Sequence, residues 1–200
     1  MSHRRYKYLY GPVSSWRLGR SLGVDLIAGR EKACTLNCVY CQLGRSQKMT
    51  KSRKIYVPTD KGIEEIKNLP VNIAIDYITF SGNGEPTLAK NLGETIRQIR
   101  LIRDEKIAVI TNSSMITDKS VMMDLALADL VVAKIDAYSE KSFEKIHGYP
   151  KGPRLSDIYK GIINFRKEYT GKLAIQIMFF DENKDNFKEL DAGPWSAEEI

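Results

Sequence analysis

The sequence predicts an α/β fold built on a parallel sheet. Three observations carry this. Short apolar, β-branched runs alternate with segments of helical spacing from residue 23 to residue 180. The runs are apolar throughout, as strands covered on both faces are. Polar motifs fall just after the strand C-termini, the edge where active sites assemble in parallel α/β proteins.

The elements follow in order. GVDLIA (23–28) reads as a short buried strand, and a polar, cysteine-bearing loop comes next. PTDKGIEEIKNL (58–69) is helical, with Thr59 or Asp60 as the expected N-cap. IDYITFS (75–81) is a strand, closed by Gly82-Asn83-Gly84. NLGETIRQIRLIRD (91–104) places Leu92, Ile96, Ile99 and Ile102 at helical spacing. KIAVITN (106–112) is a strand, DKSVMMDLALA (118–128) a helix and DLVVAKIDA (129–137) a strand. SEKSFEKIH (139–147) and RLSDIYKGIINFRKEY (154–169) are helices, and KLAIQIMFF (172–180) is the fifth strand. A further helix is expected around Asp185–Leu190, with no sixth strand after it. Strand alternating with helix implies right-handed crossovers, so CTLNCVYC, SGNGEP, TNSS and KIDA converge on one edge.

Composition narrows the class. The chain has 200 residues, 42% apolar and 28% charged, ordinary values for a globular protein. No apolar run approaches the roughly 18–20 residues that span a bilayer. The opening MSHRRYKYLYGPV lacks the apolar segment of a secretory signal, so a cytoplasmic location and no membrane partner are expected. The net charge of +6 is uneven: residues 1–60 hold 12 Lys and Arg against 3 Asp and Glu. Arg4, Arg5, Lys7, Arg17, Arg20, Arg30, Lys32, Arg45, Lys48, Lys51, Arg53 and Lys54 interleave there with Tyr6, Tyr8, Tyr10 and Trp16. Such a surface can meet the phosphates of nucleic acid. A solvated basic face and a charge offset for an anionic cofactor are the competing readings.

All three cysteines lie within CTLNCVYC, as Cys34, Cys38 and Cys41. An odd count in a reducing compartment disfavours disulfides. A structural zinc site needs four protein ligands, and neither His3 nor His147 has motif-like spacing. A cubane iron–sulfur cluster takes four thiolates. Three leave one iron open, and an open position is what a catalytic metal centre needs.

CTLNCVYC resembles the C-x3-C-x-aromatic-C pattern of the radical S-adenosylmethionine (SAM) superfamily, with Tyr40 at the aromatic place. SGNGEPT resembles that superfamily's glycine–glutamate loop, and TNSS and KIDA fall where it contacts SAM. YGPVSSWRLGRSLGVDL and CQLG are similar to a branch that includes wyosine-forming tRNA enzymes and uncharacterised relatives. The resemblance covers roughly residues 8–180 and implies a partial parallel (βα) barrel of the radical SAM type, about five to six βα units. It implies one core domain over 1–200, with a basic N-terminal extension (1–22) and a C-terminal end (181–200) open to truncation.

The resemblance implies that Cys34, Cys38 and Cys41 bind a 4Fe–4S cluster whose fourth iron is chelated by SAM. Reductive cleavage of SAM gives a 5′-deoxyadenosyl radical that abstracts hydrogen from a substrate, and the protein supplies position and shielding. By the same resemblance Tyr40 lies near the adenine, and Gly82, Gly84 and Glu85 receive the SAM amino group. Asn112 and Ser113 approach the methionine carboxylate or ribose, Asp136 the ribose, and Gln176 is a further candidate. Implied partners are SAM, a reductant such as flavodoxin or ferredoxin, and tRNA or another phosphate-bearing substrate. The wyosine-forming enzymes carry a second cysteine-ligated cluster, for which this chain has no cysteines left.

Each residue also has a plainer reading. Gly-Asn-Gly is a common strand-to-helix turn. Asn112 and Ser113 suit a loop, Asp136 a solvated cap, and Tyr40 simple packing. His147 before Gly148 suits a cation at a helix C-terminus. Gln176 in an apolar strand needs partners if buried. Arg17 and Arg20 either bind an anion or pair with acidic neighbours. Alternatives to the enzyme are a non-catalytic iron–sulfur or metal-binding module and a protein-radical activase.

Overall fold

A computed structural model describes residues 6–29, 31–45, 49–148 and 152–178. The expected helix at 185–190 and the last two residues of the predicted fifth strand lie outside the described residues.

Six strands form one sheet in the order β1 (Leu9–Ser15), β2 (Gly19–Val24), β3 (Tyr77–Phe80), β4 (Lys106–Thr111), β5 (Leu130–Lys134) and β6 (Lys172–Gln176). β2 through β6 are parallel, each beside the next in sequence. The helices are α1 (Thr59–Lys67), α2 (Leu92–Arg100), α3 (Lys119–Leu125), α4 (Glu140–His147) and α5 (Leu155–Glu168). A short 3₁₀ turn, Pro86–Leu88, follows β3. This is the α/β architecture the alternation predicts, and among the described residues the sheet does not close into a barrel.

Among the described residues, the strand beyond the five expected is N-terminal. β1 pairs antiparallel with β2 at one edge, so the basic opening segment is partly sheet. The Glu65 carboxylate of α1 fixes it, accepting the backbone N–H groups of Lys7, Tyr8 and Leu9 at 2.8, 2.8 and 3.1 Å. The strand predicted at 23–28 runs instead over Gly19–Val24. Asp25 ends it by turning its carboxylate onto the N–H groups of Ile27 and Asn83, at 2.9 and 3.0 Å.

Side chains alternate across the sheet. One row holds Leu22, Val24, Ile78, Phe80, Ile107, Val109 and Val131, all buried with Leu92, Ile96, Ile99, Val121 and Leu125 of the helices in one cluster. The other row holds Ser21, Gly23, Thr79, Ala108, Val132, Lys134 and Gln176, which are small or polar and stand outside that cluster. At the near edge of this second row Ser21 and Thr79 share a hydroxyl hydrogen bond of 2.7 Å.

Helix ends explain the crossovers. Asp118 caps α3 through the N–H groups of Ser120 and Val121, and Ser139 forms a capping box with Ser142 at the start of α4. α1 departs from expectation: Pro58 is its N-cap, and the Thr59 hydroxyl instead accepts from Asn91 Nδ2 at 2.9 Å. Arg53 ties the preceding loop down, donating to the carbonyls of Thr87 and Ala89 and pairing with Asp124.

Candidate active site at the C-terminal edge of the sheet

The cysteine loop lies along the ends of the parallel strands and is held from four sides. On the β3 side, Ala33 and Gly84 form a short parallel bridge. Ala33 N–H donates to the Asn83 carbonyl at 3.3 Å, and Glu85 N–H donates to the Ala33 carbonyl at 3.1 Å. Gly84 has φ +152°, and a Cβ there would stand 2.7 Å from the Ala33 carbonyl carbon and closer still to its oxygen. Gly82 has φ +151° and packs on Asp25, whose Cβ would be 2.6 Å from an added methyl. Glycine is therefore required at 82 and 84 by neighbouring protein.

Below this bridge sits Glu85, 2% exposed. Its Oε1 accepts from Thr87 N–H (3.1 Å), Thr87 Oγ1 (2.7 Å) and Thr111 Oγ1 (2.7 Å), and its Oε2 accepts from Asn112 N–H (2.8 Å). Burial pushes its carboxyl above the usual range against these donors. Glu85 thus joins the loop after β3 to the end of β4.

Past β4, Asn112 Nδ2 donates to Thr35 Oγ1 at 2.8 Å and reaches Cys34 Sγ at 3.6 Å. Ser114 Oγ also donates to Thr35 Oγ1, at 2.6 Å. Ser113 adopts φ +63° and is fully buried, and its hydroxyl has no hydrogen-bond partner. A buried hydroxyl without a partner costs free energy, and a left-handed serine adds strain. Such features concentrate at ligand sites.

Beyond β5, the Tyr40 hydroxyl donates to Asp136 Oδ2. Asp136 Oδ1 accepts from Met178 N–H at 2.9 Å, and Lys134 Nζ lies 3.6 Å from Oδ2. Lys134 also stands over the Tyr40 ring, 4.6 Å from its centroid. Asp136 is 4% exposed, so it is not the solvated cap of the plainer reading. Gln176 ends β6 in register with Lys134, half-buried, and its carbonyl accepts from Ile135 N–H at 2.9 Å.

The fourth hold is α4. Asn37 N–H donates to the His147 carbonyl at 3.0 Å, and Val39 N–H to that of Ile146 at 2.9 Å. These bonds satisfy carbonyls that a helix end leaves open. His147 itself is 3% exposed, packed on Phe143 with ring centroids 4.5 Å apart. Burial pulls its pKa down to about 4. The expected helix-terminal cation is therefore a neutral, buried ring, and its Nδ1 lies 3.0 Å from Cys38 Sγ.

All three thiols are free, Cys34 buried and Cys38 and Cys41 half-exposed. Burial pushes the Cys34 thiol up, and the Cys38 thiol up to about 11. Lys32 Nζ donates to Cys41 Sγ at 3.0 Å and to the Gly44 carbonyl at 2.7 Å. Among the described residues, no three Cys, His, Asp or Glu side chains converge to hold a metal ion as they stand. The donor chemistry nonetheless fits an iron–sulfur group. Three free thiols share one short loop, each lies near a side-chain nitrogen, and Cys38 and Cys41 are partly exposed.

Comparison with known proteins decides the family. The family model described as the Radical SAM superfamily matches residues 32–192. The chain belongs to the radical SAM superfamily. It is 40% identical over 181 residues to a UPF0026 protein of Synechocystis, covering 89% of this chain and 68% of that protein. It is 41% identical over 178 residues to a UPF0026 protein of Methanocaldococcus jannaschii, covering 88% of this chain and 54% of that protein. The chain therefore spans between half and about two thirds of these two relatives. A solved structure of native anSMEcpe with bound AdoMet and the Kp18Cys peptide shares the fold at a TM-score of 0.51 and 20% identity, covering 78% of this chain and 42% of that one. Membership brings the radical SAM reaction type in general, and with it an iron–sulfur cluster and SAM. No helix among the described residues is long and apolar enough to cross a membrane.

Sequence reasoning had no means of finding Lys32, Asp25 and His147 as site neighbours. Lys134 stood within KIDA but was not singled out, although a lysine in an apolar strand is a legible signal.

Proposed function

We propose that the chain is a radical SAM enzyme with a single 4Fe–4S cluster on Cys34, Cys38 and Cys41, acting as one core domain. The observation that carries this is the placement of three free thiols on one loop bridged to the Gly82–Glu85 loop at the strand ends. When bound, the cluster and SAM supply one-electron cleavage of the sulfonium to a 5′-deoxyadenosyl radical, which takes hydrogen from the substrate. The residues around them bind and orient. Carbonyls of the Gly82–Gly84 loop accept from the SAM amino group. Glu85, occupied by four donors of its own, holds that loop in place. Asn112 and the unpartnered Ser113 hydroxyl serve the methionine carboxylate or ribose. Tyr40 borders the adenine, and Asp136 and Gln176 line the ribose side.

The substrate bears phosphate, RNA among the candidates. Support comes from the exposed basic residues Lys7, Arg17, Lys51 and Lys54 in a chain of net charge +6. An acidic electron carrier of the flavodoxin or ferredoxin kind supplies the electron, in the cytoplasm. The test is iron and sulfide content after anaerobic reconstitution. About four irons per chain are expected in the wild type, and none in Cys38→Ala. Equal iron in both would remove the ligand assignment. Binding to tRNA that weakens steeply between low and moderate salt supports an RNA substrate. Salt-independent or absent binding points to a small molecule.

A further inference from the structure

His147 lies 109 residues from Cys38 in sequence, yet its Nδ1 stands 3.0 Å from the Cys38 sulfur. The contact is not a loose surface meeting. The ring is wedged between Phe143 and Tyr40, with centroids 4.5 and 6.3 Å away. Backbone hydrogen bonds on either side of Cys38, from Asn37 and Val39 to the end of α4, fix the two segments together. Gly148 ends the helix in the left-handed conformation directly against the Asn37 carbonyl. Helix, ring and cysteine are thus registered to one another by the fold.

We propose that His147 donates a hydrogen bond from Nδ1 to the Cys38 thiolate and thereby sets the reduction potential of the cluster. This rests on the reading of Cys38 as a cluster ligand. A coordinated thiolate can only accept, so the nitrogen facing it must carry the proton. Hydrogen bonds to the sulfurs are among the factors that set cluster potentials. The reason is electrostatic. The reduced cluster holds one more negative charge, and an N–H dipole aimed at a ligand sulfur favours that state. In a buried setting the effect is little screened. Cys34 and Cys41 have their own donors in Asn112 and Lys32, but Lys32 reaches from the same loop. His147 is the donor among these that a separate helix delivers. It acts through Cys38 and is a positioning residue, not a catalytic one.

The experiment uses the full chain, reconstituted with iron and sulfide and titrated with dithionite while the reduced cluster is followed by electron paramagnetic resonance. His147→Phe keeps a ring and removes the donor. His147→Asn places an amide N–H near the same position. The expected result is about a tenfold lower ratio of reduced to oxidised cluster at fixed poise in His147→Phe, about 59 mV for one electron, with His147→Asn near wild type. Equal potentials in all three would overturn the proposal. Should His147→Phe fail to fold, the wild type answers alone. With ¹⁵N-histidine, pulsed resonance should show weak coupling of the reduced cluster to one histidine nitrogen. No coupling overturns the hydrogen bond, and strong coupling overturns it in favour of direct ligation. Absence of any cluster in the wild type would instead sink the functional reading itself.

Discussion

Gly84→Ala is the perturbation whose consequence the geometry fixes most tightly. Two costs add. The backbone at φ +152° is one that side-chain-bearing residues rarely adopt, and holding it costs about 1–3 kcal/mol. The new methyl would also press on the Ala33 carbonyl, which is backbone and cannot swing aside. Overpacking of that kind costs about 1–3 kcal/mol. The sum, about 2–6 kcal/mol, is a large part of the 5–15 kcal/mol typical of a domain. With a urea slope of roughly 2 kcal/mol/M the midpoint should fall by about 1–3 M. Gly44→Ala is the control. Gly44 has φ +74° but nothing within 4 Å of an added Cβ, so it carries strain without the clash. Its stability should fall by about a third as much, on the order of 1 kcal/mol, or about 0.5 M in midpoint. The assay is urea denaturation of the iron-free chain, followed by iron uptake of each variant. Equal shifts in the two variants would refute the claim that the bridge between Ala33 and Gly84 demands glycine. So would a Gly84→Ala chain as stable as wild type.

Other consequences are as direct. Glu85→Gln leaves an amide N–H facing donors from Thr87, Thr111 and Asn112, and should cost about 1–3 kcal/mol in denaturant titration; an unchanged midpoint would show the network to be dispensable. Asp136→Ala removes the carboxylate that accepts from the Tyr40 hydroxyl and loosens the tie between the cysteine loop and the end of β5, so SAM affinity of the reconstituted chain, read by calorimetry, should fall about tenfold; unchanged affinity would remove Asp136 from the site. The iron-free chain should lose stability in acid through His147. Its folded pKa is depressed from 6.5 to about 4, so its share is intact above pH 6.5 and is lost as pH falls through about 4. That is at most about 3 kcal/mol, and His147→Gln should flatten that part of the profile.

Much of the fold was legible because β3, β4 and β5 have apolar, largely buried centres separated by amphipathic helices. Phe80, Val109 and Val131 are buried in the strands, and Leu92, Ile96 and Ile99 on the helix that faces them. β1 was not legible. Its Tyr10 and Val13 are exposed, and Gly11-Pro12 interrupts it, so no period marks a strand that is paired along one side only. The cysteine triplet was legible from spacing. The surroundings were less so, because Asn112 and His147 reach the thiols through tertiary contacts from 78 and 109 residues away that no local pattern encodes. His147 is the instructive case. Its place before Gly148 correctly marks a helix end, but the charge expected there is removed by burial against Phe143 and Tyr40. Glu85 was expected to help receive the SAM amino group, while the four hydrogen bonds it accepts follow only from the packing of Thr87, Thr111 and Asn112 around it.

The central claim, that Cys34, Cys38 and Cys41 make a working radical SAM site, is tested most directly by product. The chain would be reconstituted anaerobically with iron and sulfide, reduced, mixed with SAM, and assayed for 5′-deoxyadenosine. The account predicts about four irons per chain and 5′-deoxyadenosine from the wild type, with neither from Cys38→Ala. A chain that takes up zinc in place of a cluster, or that holds the cluster and leaves SAM intact, would contradict it.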